Sequence, residues 1–201
     1  MYRLVFMRHG RSLADDEQKH EGSYNSLLTE VGVNQAIETA LYLSKKYKFD
    51  CIITSPLKRA KQTAEIIQEK TRCSIDINPL FRERDNGILA GMKYEEAKKK
   101  YPLPKIDGPF RRFPGNTGEN EFELNARALL ALNSIIDKGP GSYLIVSHGG
   151  ILNAVMKRIM DIPIGNKESG VVFRLGDNGF IEVEYREEKN LWIIKRMEDG
   201  K

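Results

Sequence analysis

Short hydrophobic segments alternate with longer segments of helical periodicity along most of the chain. Four segments have the length and pattern of buried strands: residues 4–7, 51–54, 75–78 and 143–147. Strands that alternate with helical segments in this way are typical of βαβ units. The pattern therefore predicts an α/β fold with a mostly parallel sheet covered by helices on both faces.

The intervening segments carry apolar residues every three or four positions, as on the buried face of an amphipathic helix. One helix is expected after Thr29 as N-cap, and another at Ser55-Pro56, with the serine as N-cap and the proline as first helical residue. Two further helices are expected at residues 124–136 and 151–160.

The C-terminal part of the chain has a different pattern. Residues 171–175 and 180–185 flank the turn sequence Asp-Asn-Gly at 177–179, which predicts a β-hairpin. A last strand is expected at residues 191–197. We expect this hairpin to add an antiparallel edge to the sheet.

Residues 82–118 fit neither pattern. They are rich in glycine, proline and charge, and they hold one short helical segment near residues 94–100. Long irregular segments within a compact domain are usually functional lids or disordered. We therefore expect one domain over residues 1–201, with residues 82–118 as a small irregular cap over one end of the sheet.

Composition and charge exclude several classes of protein. The 201 residues are 40% hydrophobic and 30% charged, which is typical of a globular chain and excludes collagen-like and disordered classes. The 32 basic and 28 acidic residues are interspersed and give a net charge of +4, so no nucleic-acid partner is expected. No apolar segment approaches the ~20 residues of a membrane-spanning helix. The N-terminus has no export leader and two cysteines are too few for a disulfide framework, which predicts a cytoplasmic protein.

Two of the three histidines directly follow strongly apolar strands, and each precedes a glycine. They are His9, which follows Arg8, and His148. The carboxyl ends of parallel strands form the ligand-binding edge of an α/β sheet, and Arg59, early in the next helix, is expected at the same edge. Arginine binds phosphate in bidentate fashion, and a neutral imidazole can attack phosphorus. This set of side chains therefore favours a phosphoryl-binding site.

Each feature alone has an ordinary explanation. His-Gly-Gly can simply end a strand, and Arg59 lies in a charged run that could form a solvated helix face. A metal site is not predicted, because no carboxylate pair lies near the two histidines to complete a ligand set. The joint occurrence of these features in matching strand–turn–helix contexts favours a common site.

Five motifs occur in a recognisable order. They are LVFMRHGRS at residues 4–12, LTEVG at 28–32, TSPLKRAKQTA at 54–64, RERDNG at 82–87 and VSHGG at 146–150. Together they resemble the histidine phosphatase superfamily, in particular its phosphoglycerate-mutase-like branch. The resemblance implies that fold and a phosphohistidine chemistry, and it is less specific for the substrate.

The resemblance implies roles for five catalytic residues. His9 is the nucleophile, and Arg8, Arg59 and His148 hold the equatorial phosphoryl oxygens and neutralise their charge. Glu83 matches the family's proton donor, which protonates the leaving alkoxide and then deprotonates the attacking water. A free glutamate has a pKa of ~4.3, so Glu83 needs burial or a neighbouring phosphate dianion to hold a proton at neutral pH.

Five further residues are expected to contact the substrate: Gly10, Ser12, Asp15, Arg84 and Gly149. The Ser12 hydroxyl and the amides of both glycines are expected to donate hydrogen bonds to the phosphate. Asp15 stands where the family commonly has a phosphate-binding asparagine, and a carboxylate there repels a dianion. Either Asp15 points away, or the site prefers a less charged or differently placed phosphate. Arg84 is a candidate clamp for a second anionic group, although a solvated basic loop is an equal alternative.

Three other residues receive structural interpretations. Glu119, after Gly118, is interpreted mainly as the start of the long helix that follows. His20 is expected at the surface, and Trp192 is expected in the core.

The leading functional hypothesis is a phosphomonoesterase that acts on a small anionic phosphate ester without a cofactor or metal ion. The main alternative is a phosphoglycerate mutase, which needs a 2,3-bisphosphoglycerate primer and must shield phosphohistidine from water. The modest cap favours hydrolysis, whereas the paired Arg111 and Arg112 keep the mutase open. A phosphoprotein phosphatase and a non-catalytic phosphate-binding module are further alternatives. No membrane partner is expected, and the oligomeric state and natural substrate are left open.

Overall fold

The strands of the protein form one mixed sheet. The computed structural model describes residues 1–102, 108–165 and 171–200. Within these ranges the strands are β1 (Tyr2–Arg8), β2 (Cys51–Thr54), β3 (Ser74–Ile77), β4 (Ser142–Ser147), β5 (Phe180–Arg186) and β6 (Leu191–Glu198). In the order β3-β2-β4-β1-β5-β6, the first four are parallel, and β5 and β6 add an antiparallel edge. The predicted sheet is confirmed.

Helices cover both faces of this sheet. They are α1 (Leu13–Asp16), α2 (Glu30–Lys46), α3 (Lys58–Thr71), α4 (Tyr94–Lys100), α5 (Glu121–Ile136) and α6 (Gly149–Ile159). In β1, Leu4 and Phe6 belong to one apolar cluster with α5 and α6, whereas Val5 and Met7 belong to a second cluster with α2 and α3. All four side chains are fully buried, as expected for a strand covered on both faces. No helix in the described part of the chain is long and apolar enough to cross a bilayer.

The first arm of the predicted hairpin is wrong. Residues 171–175 form no strand, and the hairpin consists instead of β5 and β6, joined by a 3₁₀ turn at Glu187–Lys189. The backbone of Phe173 is bound by the Asn153 side chain of α6, at 2.7 Å through its N–H and 2.8 Å through its carbonyl. A side chain therefore satisfies the groups that a neighbouring strand would otherwise have bound.

The helix predicted at Ser55-Pro56 begins later, at Lys58, with Leu57 as its N-cap. The Ser55 hydroxyl accepts a hydrogen bond from the Leu57 N–H at 3.2 Å and lies 2.8 Å from the His148 Nε2 atom. Ser55 therefore stabilises the turn after β2 and contacts His148, and it does not cap the helix.

The interpretation of Glu119 as a helix start is also wrong. Helix α5 begins at Glu121, and Asn120 caps it through a capping box with Glu123. Glu119 lies before the cap, and its carboxylate accepts hydrogen bonds from Arg127 at 2.5 and 2.7 Å.

The predicted cap contains 3₁₀ turns and helix α4, and its residues 103–107 lie outside the described residues. Backbone hydrogen bonds tie it to the segment that follows α1: the His20 N–H donates to Met92, and the Tyr94 N–H donates to Gln18. The limits of the cap at 82–118, and the assignment of residues 1–201 to one domain, stay predictions.

Two side chains lie at intermediate depth rather than at the predicted extremes. His20 is half-buried and packs edge-on against Tyr94, with ring centroids 4.7 Å apart. Trp192 is half-buried, stacks on Tyr185 at 4.2 Å and packs against the larger apolar cluster.

Candidate active site

The register of the parallel strands brings His9 and His148 together. Arg8 of β1 is paired with Ser147 of β4, and the His9 N–H donates to the Ser147 carbonyl at 3.0 Å. Each histidine therefore follows its strand at the same edge of the sheet. Their ring centroids lie 5.0 Å apart, and both side chains are buried. This juxtaposition was predicted from the sequence, because both histidines follow parallel strands at their carboxyl ends.

The hydrogen bonds of His9 leave one ring nitrogen for chemistry. Its Nδ1 atom lies 2.7 Å from the Gly10 carbonyl, which can only accept, so Nδ1 carries a proton. The Nε2 atom faces the Arg59 Nε atom at 3.1 Å and a Glu21 carboxylate oxygen at 3.5 Å. In the neutral ring, Nε2 therefore carries the lone pair, which here accepts a hydrogen bond from Arg59.

His148 is a neutral hydrogen-bonding group. Burial, followed by the positive charges of Arg59 and of neighbouring cations, holds the pKa of His148 well below its usual value. Its Nε2 atom lies 2.8 Å from the Ser55 hydroxyl, whereas its buried Nδ1 atom has no hydrogen-bond partner among the described residues. With Ser55 donating to Nε2, Nδ1 carries the proton and can donate to a phosphoryl oxygen.

Arg59 is a fully buried cation beside the nucleophilic atom. Its two terminal nitrogens donate to the carbonyls of Tyr24 at 2.8 Å and Gly22 at 3.2 Å. Burial lowers the pKa of Arg59, and the negative charges of Glu21 and Glu83 oppose that shift. Guanidinium groups remain protonated in proteins, so Arg59 presents a fixed positive charge to an anion at His9.

Arg8 lies at the same edge, between two carboxylates. Its Nη2 atom is 3.3 Å from Asp15 and 3.4 Å from Asp177, and its Nη1 atom donates to the Leu175 carbonyl at 3.2 Å. Burial raises the pKa of Asp177, and the charge of Arg8 opposes that shift. The Asp15 side chain therefore points toward Arg8, so the alternative in which Asp15 points away from the site is wrong.

The Glu83 side chain contacts the N-terminus of helix α6, and this helix begins directly after His148. Its carboxylate accepts hydrogen bonds from the amides of Arg84 at 2.7 Å, Gly150 at 3.1 Å and Ile151 at 3.1 Å. A Cβ atom added at Gly150 would lie 2.6 Å from a Glu83 oxygen, so glycine is required there for this approach. A helix N-terminus stabilises a carboxylate, and here it also fixes its orientation.

Glu21 also belongs to the site, although it was not predicted from the sequence. The Glu21 side chain is 13% exposed, and its Oε1 atom lies 2.6 Å from the Ser12 hydroxyl and 3.1 Å from Arg59 Nε. Burial alone would raise the pKa of Glu21, but a protonated His9 ring, Arg59 and Ser12 together lower it to about 2. Glu21 lies in an irregular segment between α1 and α2, where no strand or helix pattern marks a functional position.

The predicted phosphate-binding groups of Gly10 and Ser12 already form hydrogen bonds within the protein. Ser12 caps α1 by accepting from the Asp15 N–H, and its hydroxyl donates to Glu21. The Gly10 N–H donates to the Thr63 hydroxyl at 3.1 Å, so the expectation that this amide faces the phosphate is wrong. Gly149 opens helix α6 and has open space where a side chain would project.

Arg84, the predicted clamp for a second anionic group, is bound within the protein instead. The Arg84 guanidinium pairs with Glu121 and donates to the Glu119 carbonyl at 3.1 Å, which leaves the side chain 11% exposed. Arg112 pairs with Glu123 and the Gly118 carbonyl. Both arginines therefore join the cap to the start of α5. Arg84 and Glu121 lie 37 residues apart, and the irregular segment between them gives no register from which this contact could be predicted.

No group of three or more histidine, cysteine or acidic side chains with metal-binding geometry occurs within the described ranges. The described side chains of the site include two buried histidines, the guanidinium groups of two arginines and a carboxylate held at a helix N-terminus. Fold and geometry together define a class: α/β proteins that bind a phosphoryl group at a strand-end histidine.

Within that class, the chain belongs to the histidine phosphatase superfamily (branch 1), whose sequence model matches residues 4–199. The resemblance drawn from the five motifs is therefore confirmed.

Relatives in this family carry both phosphatase and mutase names. The uncharacterized phosphatase PhoE of Bacillus subtilis is 35% identical, over 97% of this chain and 93% of its own length. The probable phosphoglycerate mutase GpmB of Cronobacter sakazakii is 31% identical, over 99% of this chain and 94% of its own. The solved structure of YhfR from Bacillus stearothermophilus has a TM-score of 0.86 at 26% identity and covers 100% of this chain and 98% of its own.

Proposed function

We propose that the protein is a phosphomonoesterase that hydrolyses a small anionic phosphate ester through a phosphohistidine on His9. The observation that carries this proposal is the position of the His9 Nε2 atom, which lies 3.1 Å from the Arg59 guanidinium with its other ring nitrogen bound to a carbonyl. The ring therefore directs Nε2 toward Arg59, and Nε2 can attack phosphorus once a phosphoryl group replaces the groups that now contact it. The family and its phosphatase-named relatives support the same activity.

In the first step, His9 Nε2 attacks phosphorus as the bond from phosphorus to the ester oxygen breaks. Arg8, Arg59 and the Nδ1–H group of His148 stabilise the charge on the three equatorial oxygens. The phosphate dianion of the substrate favours the protonated form of Glu83. Glu83 gives this proton to the leaving alkoxide, which departs as an alcohol.

In the second step, water attacks the phosphohistidine. Glu83, now a carboxylate, takes the proton of that water as the bond between phosphorus and Nε2 breaks. Inorganic phosphate leaves and neutral His9 is restored. The three amide donors keep Glu83 in one place through both steps.

A small cavity beside Glu83 supports a small leaving group. It has a volume of about 170 Å³ and is lined in part by Arg84, Asn125, Gly149, Gly150 and Lys157. The Asn125 carbonyl oxygen and the Arg84 Nε atom are buried there without hydrogen-bond partners among the described residues.

We propose that this reaction needs no cofactor and takes place in the cytoplasm. The relative named as a probable mutase supports one alternative, phosphoryl transfer between phosphoglycerates with 2,3-bisphosphoglycerate as primer. Incubation with 3-phosphoglycerate, with and without that primer, separates the two activities. Release of inorganic phosphate supports hydrolysis, whereas formation of 2-phosphoglycerate supports the mutase.

The proposed function is tested with His9→Ala and a panel of sugar phosphates, phosphoglycerates, nucleotides and phosphopeptides. We expect His9→Ala to lose at least 10³-fold in kcat/KM, because the nucleophile is absent. His20→Ala is the matched histidine control, because its ring packs against Tyr94 of the cap, and it is expected to keep most of the activity. Full activity of His9→Ala would overturn the mechanism.

A further inference from the structure

Glu21 presents a carboxylate to the same groups that must bind the phosphoryl group. Its Oε1 atom faces Ser12 Oγ at 2.6 Å and Arg59 Nε at 3.1 Å, and its Oε2 atom faces His9 Nε2 at 3.5 Å. The nucleophile, the buried cation and the loop hydroxyl are thus all in contact with one internal anion.

We propose that the Glu21 carboxylate occupies the phosphoryl position in the free protein, competes with bound phosphate and expels the phosphate product. This inference rests on the proposed function, because it takes His9 and Arg59 as the phosphoryl-binding groups. It makes Glu21 a specificity-determining residue that the five motifs do not contain.

Distance opposes simultaneous occupation. An atom under attack must come within about 3–3.5 Å of the nucleophile. A Glu21 oxygen already lies 3.5 Å from His9 Nε2. A phosphoryl group that approaches His9 Nε2 from the side of Glu21 therefore meets this carboxylate and requires the Glu21 side chain to rotate away.

Charge opposes simultaneous occupation as well. Arg59 is already paired with Glu21, and Arg8 with Asp15 and Asp177, so both guanidinium groups have carboxylate partners before substrate arrives. A phosphate dianion beside Glu21 adds like charges in a buried site, where repulsion is poorly screened. Each binding event therefore exchanges one anion for another.

This exchange has a consequence for selectivity. A phosphate ester gains additional contacts through its alcohol part, whereas inorganic phosphate has only the phosphoryl contacts with which to displace Glu21. The carboxylate therefore weakens binding of inorganic phosphate more than binding of a complete substrate, and its return limits product inhibition.

The test is direct binding of orthophosphate and vanadate, measured by isothermal titration calorimetry at neutral pH. We expect Glu21→Gln to bind both anions at least tenfold more tightly than the unsubstituted protein, because the amide keeps the side-chain shape without its charge. Glu21→Asp keeps the charge and is expected to bind weakly. Glu17→Gln is the matched control, since Glu17 is an exposed carboxylate paired with Lys19 in the same segment.

Equal or weaker anion binding by Glu21→Gln overturns the inference, as does equally tight binding by Glu21→Asp. A second readout follows turnover: Glu21→Gln is expected to lower KM and the inhibition constant of phosphate together, and to lower kcat as product release slows. A purely structural role would lower kcat/KM and weaken binding.

The calorimetric test does not depend on catalysis. If the wild-type protein binds orthophosphate but hydrolyses no ester, the proposed function is refuted. The competition between Glu21 and phosphate can still be measured in that case. Failure of every variant to bind either anion overturns the inference.

Discussion

The roles of single side chains at this site depend on which groups already hold them. Glu83 accepts three amide hydrogen bonds at the start of α6, so it is fixed in position before any substrate binds. Glu21 is instead bound through groups that the substrate must use. The two carboxylates are therefore held differently, and in the proposed mechanism Glu83 assists the reaction whereas Glu21 opposes phosphate binding.

The proton-donor role of Glu83 predicts a dependence on the leaving group. Glu83→Gln should lower kcat/KM for alkyl phosphates by about 10²–10⁴-fold, because an alkoxide leaves poorly without a proton. The loss should be much smaller for p-nitrophenyl phosphate, whose phenolate leaves readily. Steady-state kinetics with both substrates measure the difference, and Glu188→Gln, an exposed substitution in the β5–β6 turn, is the control. An equal loss on both substrates would remove Glu83 from the acid role.

The sequence was informative wherever a functional residue adjoins a regular element. Arg8, His9 and His148 follow strongly patterned strands, so their convergence could be predicted from topology alone. The contacts of Arg84 and Glu21 could not be predicted, because both residues lie in irregular segments whose hydrophobic pattern gives no period. Strand and helix patterns report burial, and they do not report which polar group satisfies another.

At the scale of elements, errors in the prediction arose where a side chain replaced a backbone partner. Residues 171–175 have the hydrophobicity of a strand, but Asn153 binds the backbone of Phe173. Ser55 has the residue type of a helix cap, but it contacts His148. Both departures lie close to the site, where local preferences yield to the geometry that function requires.

Arg127 connects helix α5 to the segment that carries Glu83. Its guanidinium donates to the carbonyls of Leu80 at 2.8 Å, Arg82 at 2.7 Å and Glu83 at 3.3 Å, and it pairs with Glu119. The Arg127 side chain is 7% exposed and that of Glu119 is 12% exposed, so the pair is nearly excluded from water.

Arg127→Met is therefore expected to destabilise the protein by about 1–3 kcal/mol, because it removes the donor to three carbonyl groups and the main ion-pair partner of Glu119. Arg82, 3.5 Å away, and the Asp85 N–H still contact the Glu119 carboxylate. Urea denaturation measures this change. The double variant with Glu119→Gln should recover part of the loss, since no uncompensated charge remains. A change below about 0.5 kcal/mol in the single variant would contradict this account of the contact.

At the scale of the whole molecule, the net charge of +4 does not reveal that both arginines predicted to bind phosphate, Arg8 and Arg59, are paired with acidic side chains. The pKa of Glu21 is lowered from 4.5 to about 2, and Arg127 lowers the pKa of Glu119 in spite of burial. Both carboxylates thus have a folded-state pKa below the unfolded value. Their contribution to stability is present above about pH 4.5 and is lost as the pH falls toward the folded values.

This linkage predicts the acid stability of Glu21→Gln. A pKa difference between 4.5 and about 2 corresponds to about 3 kcal/mol, so wild-type protein should lose up to that amount through Glu21 between pH 5 and pH 2. Glu21→Gln should start less stable at pH 7 and lose correspondingly less on acidification, whereas Glu17→Gln should follow the wild type. Urea unfolding monitored by circular dichroism at pH 7, 5 and 3 measures the three profiles, and parallel wild-type and Glu21→Gln curves would contradict the ion pair. A variant that binds phosphate more tightly yet unfolds more easily would show that the carboxylate stabilises the free protein at the expense of ligand binding.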